Sequence, residues 1–88
     1  MTRTELKTAS EILESAADSA GDNADRLADL ADQLDQLAEA DRGPDHGRMA
    51  RIQTALDEIQ QETDDETAAT IEDARTEISD YRATVDGV

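Results

Sequence analysis

Residues 27–37 read Leu-Ala-Asp-Leu-Ala-Asp-Gln-Leu-Asp-Gln-Leu, with leucine at 27, 30, 34 and 37. Steps of three and four place those side chains along one stripe of an α-helix and leave Asp and Gln for the other face. Such a stripe has to be buried against another helix. The chain repeats the pattern three more times: Leu6, Ala9, Leu13, Ala16 and Ala20 precede it, Met49, Ile52, Leu56 and Ile59 follow, and Ile71, Ala74, Ile78, Tyr81 and Val85 complete the set. Four stripes within 88 residues predict an all-α fold, an antiparallel up-down-up-down four-helix bundle, with residues 1–88 forming a single domain.

Boundary signals divide the chain into helices at about 3–20, 23–40, 45–62 and 65–85. Thr2-Arg-Thr-Glu5 fits a capping box for the first helix, and Thr63-Asp-Asp-Glu66 fits one for the fourth. Gly21 is the expected stop of helix 1, Asp22 or Asn23 the expected cap of helix 2, and Gly87 follows helix 4. The connection Asp41-Arg-Gly-Pro-Asp-His-Gly-Arg48 holds the only proline, the only histidine and two of the four glycines. Gly43-Pro44 is a strong helix stop, and either Gly43 or Asp45 caps helix 3.

Composition sets the habitat. The 23 acidic and 8 basic side chains leave a net charge of −15, spread evenly, with 11 acids against 4 bases in residues 1–44 and 12 against 4 in residues 45–88. Acid distributed over periodic helices differs from a disordered acidic tail, which lacks the apolar period. Lys7 is the only lysine beside seven arginines, and Asp outnumbers Glu by 14 to 9 although Asp is the poorer helix former. At about 1 M salt the Debye length shrinks to roughly 3 Å, so such a surface stops repelling itself. In dilute buffer the same charge pushes the helices apart. The apolar complement is thin, with seven Leu and five Ile supported by Met49, Tyr81 and Val85, so salt or dimerisation is expected to assist folding. An acidic protein of ordinary salt is the competing reading.

Two segments, Asp41 to Ile52 and Tyr81-Arg-Ala-Thr-Val-Asp-Gly-Val88, resemble a family of small acidic haloarchaeal proteins of unknown function. Length and the four-stripe layout agree with that family over nearly the whole chain. The resemblance implies a halophilic source and a helical fold, and it brings no activity.

The expected topology places the N-terminus, the helix 2–3 connection and the C-terminus at one end of the bundle. That end collects Arg3, Lys7, Arg42, Arg48, Arg51 and Arg82, six of the eight basic residues, together with His46 and Tyr81. Its acids are Glu5, Glu39, Asp41, Asp45, Asp80 and Asp86, so it is close to neutral on an acidic rod. Arg42, His46, Arg48, Tyr81 and Arg82 are therefore the candidate binding residues. As a docking site the end offers planar guanidinium forks to carboxylate or phosphate, with the amides opening helix 3 favouring an anion. As structure, the same arginines pair with Asp41, Asp45, Asp80 or Asp86 and pin the connection to the bundle. His46 reads as a capping or solvent-facing residue in preference to a catalytic one, and Tyr81 as a core residue with its hydroxyl at the mouth.

Several classes are disfavoured. With no cysteine there are no disulfides or thiolate metal sites, and the carboxylate pairs lack the Glu-x-x-His pattern of di-iron bundles and the spacing of calcium loops. Net −15 without a basic stripe or stacking aromatics argues against nucleic acid, and no run between charged residues exceeds five, too short for a bilayer. Met1-Thr-Arg-Thr-Glu5 lacks the apolar core of a signal peptide, so the chain is expected in the cytoplasm. The resulting expectation is a non-enzymatic interaction module without cofactor or metal, acting on a protein partner or by self-association. A small-ligand or anion-binding protein using the helix 2–3 end is the alternative. Self-association needs an apolar face outside the stripes, for which Ile12 is the candidate.

Overall fold

The computed structural model describes residues 4–40 and 46–86. Four helices run over α1 (Thr4–Ala17), α2 (Ala24–Glu39), α3 (His46–Glu62) and α4 (Asp65–Asp86), and among the described residues there is no strand. Cross-helix bonds fix their directions. Lys7 meets Asp35 while Ser10 meets Ala31; Asn23 meets Glu62 while Arg48 meets Gln36; Gln53 meets Ser79 while Gln60 meets Ala68. In each seam one number rises as the other falls, so successive helices are antiparallel. The bundle closes where Thr67, near the start of α4, reaches the Ser19 carbonyl just after α1. Its extents are 37 × 20 × 18 Å, and α4, with 22 residues, spans most of the long axis at ~1.5 Å per residue.

The four stripes converge on one core. Leu6, Leu13, Leu27, Leu34, Met49, Ile52, Leu56, Ile59, Ile71 and Ile78 are fully buried. Leu37 is the weak member of its stripe and only partly buried, whereas Ala31 and Ala38, one position on, are fully enclosed. The buried arc of α2 is thus rotated toward its alanines. These alanines, with Ala9, Ser10 and Ala16 on α1, let the two backbones approach closely. The buried Ser10 hydroxyl donates to the Ala31 carbonyl at 2.7 Å, a bond that such an approach makes possible. Ile12 lies partly buried against the core and does not form a separate apolar face.

Three boundaries differ from the sequence reading. α1 closes at Ala17, not Ala20: Asp18, Ser19 and Ala20 donate in turn to Ser15, Ala16 and Ala17, tightening the chain into 3₁₀-like turns. Gly21 then adopts φ +58°, the left-handed conformation that the stop requires, with nothing within 4 Å of a Cβ placed there. A single 3₁₀ turn over Gly21–Asn23 leads into α2, and Asn23 makes no side-chain cap; its amide instead donates across to Glu62 Oε1 at 3.3 Å. The cap of α4 is Asp64, not Thr63. Asp64 Oδ1 accepts from the Thr67 amide at 2.7 Å, while the Thr63 hydroxyl turns back to the Gln60 carbonyl. The Thr2–Glu5 box depends on Thr2 and Arg3, which lie outside the described residues, as do the Gly43 or Asp45 cap, Gly87 and the side chain of Val85.

Candidate functional site

The antiparallel order brings the start of α1, the end of α2, the start of α3 and the end of α4 to one end of the bundle. His46 opens α3 and Arg82 stands in the last turns of α4, so two residues 36 apart in sequence become neighbours: Arg82 Nε donates to His46 Nδ1 at 3.4 Å.

Arg48, half-buried in the first turn of α3, reaches Gln36 Oε1 across the α2 seam at 3.5 Å, the outer limit of a hydrogen bond. Arg51 is exposed one turn further on. Tyr81 is only 7% exposed and belongs to the core, so it supports this end from beneath. Lys7 pairs with Asp35, and the hydrogen bond and charge of Asp35 raise the lysine pKa. Of the five candidate residues, His46 and Arg82 are brought into contact, Arg48 and Tyr81 share their end, and Arg42 lies outside the described residues. The two arginines of the bundle body are engaged between helices: Arg26 with Glu58 at 3.6 Å and Arg75 with Asp57 at 3.3 Å.

Sequence reasoning missed two polar constellations. One is a ladder between α3 and α4. Gln53 and Gln60, one heptad apart, donate to the carbonyls of Arg75 and Ala68, also one heptad apart, at 3.1 and 3.0 Å. Arg75 lies between them, donating to Gln53 Oε1 at 2.9 Å and to Gln60 Oε1. Its trace in the sequence is the seven-residue spacing of Gln53 and Gln60. The other is a cleft of about 160 Å³ at the opposite end, lined by Ser15, Ala16, Ser19, Glu66, Thr67 and Thr70. Its buried Thr67 hydroxyl lies 3.5 Å from the Ser19 carbonyl, and the bonds from Thr67 hold the Asp64 carboxyl below the usual carboxylate range. Ser15 on α1 and Ser19 just beyond it, four residues apart, are its trace in the sequence.

Among the described residues, no three His, Cys, Asp or Glu side chains group as metal ligands, and no helix is long and apolar enough to cross a membrane. Comparison with curated proteins and with solved structures finds no match. A family model does match, over residues 1–84, and the chain accordingly belongs to a family of unknown function, DUF7553.

Proposed function

We propose that the chain is a non-enzymatic interaction module of a halophilic cytoplasm, docking a protein partner through the end where α3 begins and α4 finishes. The observation that carries this reading is the meeting of Arg82 with His46, beside Arg48, on a chain of net charge −15. In molar salt only charges in contact act, and at this end the arginines offer planar guanidinium forks to a partner's carboxylates. The Asp-rich, Lys-poor composition supports the halophilic setting, since molar salt screens the repulsion that such a surface carries.

The test is affinity capture at molar salt, comparing the native chain with a variant carrying His46→Ala, Arg48→Ala and Arg82→Ala, both shown to be folded by circular dichroism. Docking at this end requires a partner retained by the native chain and lost by the variant. Equal retention moves the interface elsewhere and ends the proposal. The halophilic setting is tested separately. Helicity is expected to drop sharply on transfer from about 2 M KCl to dilute buffer as screening is lost. Undiminished helicity there contradicts it.

A further inference from the structure

The helices are not equally held. α1 packs closely on both α2 and α4, with small residues at the crossing positions. α3 buries Met49, Ile52, Leu56 and Ile59, all large, and its backbone approaches α4 less closely and α2 hardly at all. Polar side chains fill both of its seams. Toward α4 stand Gln53, Gln60, Arg75 and Asp57; toward α2 stand the pairs Asn23–Glu62, Arg26–Glu58 and Arg48–Gln36. Water can replace each of these bonds when the seam parts, so breaking them costs little net free energy. By contrast, the Ser10–Ala31 bond and the fully enclosed Ala9, Ala31 and Ala38 have no such exchange with solvent.

We propose that α3 is a release helix: the bundle opens by freeing α3 from an α1–α2–α4 frame while that frame stays folded. Opening exposes the stripe Met49–Ile59 and the core side of α2 and α4. It also parts His46 and Arg48, on α3, from Arg82, on α4, so the docking end exists only when α3 is seated. That consequence rests on the proposed function, whereas the opening itself does not.

Amide hydrogen exchange on the full chain, in salt that keeps it folded, tests the opening without any partner. Amides of Ile52, Leu56 and Ile59 are expected to exchange together, roughly tenfold or more faster than those of Leu13, Ala31 and Ala74, with a weaker denaturant dependence. Equal rates and slopes across all four helices would overturn the proposal, because the bundle would then open as one unit. A second arm replaces the ladder by apolar groups of similar length, Gln53→Met, Gln60→Met and Arg75→Met. Slower α3 exchange with α1 unchanged supports the polar seam as the cause. Unchanged α3 exchange overturns it. Loss of capture by the end variant, or its absence, bears only on the docking reading, so the two ideas fail separately.

Discussion

α1 buries Leu6, Ala9, Ser10, Leu13 and Ala16, whereas α3, diagonally across the bundle, buries Met49, Ile52, Leu56 and Ile59. Three of the five positions on α1 are small and none of the four on α3 is, and the seams follow from that. Small residues bring backbones together, exclude water and allow a hydroxyl to reach a carbonyl in mid-helix. Large residues hold the helices apart, and long polar side chains occupy the intervening width. Equal stripe length therefore does not mean equal attachment; what flanks the stripe decides it.

Truncating one leucine on each side should give the largest contrast. Leu13→Ala is expected to cost about 4 kcal/mol, because the close-packed side cannot relax into the space, and Leu56→Ala about 2 kcal/mol, because α3 can settle inward. Chemical denaturation in matched salt measures both, and equal costs would break the comparison. Enlarging a small residue probes the same difference from the other direction. Ala31→Leu, at a fully enclosed position, should lose about 3 kcal/mol, while Ala55→Leu, partly buried on α3, should lose less than about 1 kcal/mol.

Removing one polar bond from each seam is the finer test. Ser10→Ala is expected to cost about 1 kcal/mol, whereas Gln60→Ala should stay within about 0.5 kcal/mol because water substitutes for its bonds. A reversed order would show that the glutamine ladder holds α3 more firmly than the packing argument allows.

The smallest effect concerns the cap at the far end. Asp64 has a pKa lowered by the hydrogen bonds from Thr67. A depressed pKa means that its stabilising contribution is present above the ordinary carboxylate range and is lost as pH falls through the lowered value. Asp64→Asn keeps an acceptor but cannot titrate, so its acid unfolding curve should be shallower than that of the native chain. Superimposable curves would remove Asp64 from the acid response. Lys7 works at the alkaline limit in the opposite sense: its raised pKa contributes stability at lower pH that disappears as pH climbs through the raised value.

The stripes were legible because a period of 3.6 is a local property of the chain: the two core-facing isoleucines of α3 and the two of α4 could be placed on buried faces from spacing alone. Gly21 was legible for the same reason, since a helix stop in the left-handed conformation is a demand made by the backbone of one residue. The meeting of His46 with Arg82 was half legible. Antiparallel order put both at one end, but which atoms faced each other depended on the rotation of α3 against α4. Caps were misread at Thr63 and Asn23 because several nearby side chains were chemically able to cap, and tertiary partners chose between them: Asn23 turned to Glu62. The sequence by itself determined the helices, their order and the acid surface, each encoded in neighbours along the chain. Only the tertiary structure decided how near each helix lies to the next, because that distance depends on which side chains from different stripes come face to face.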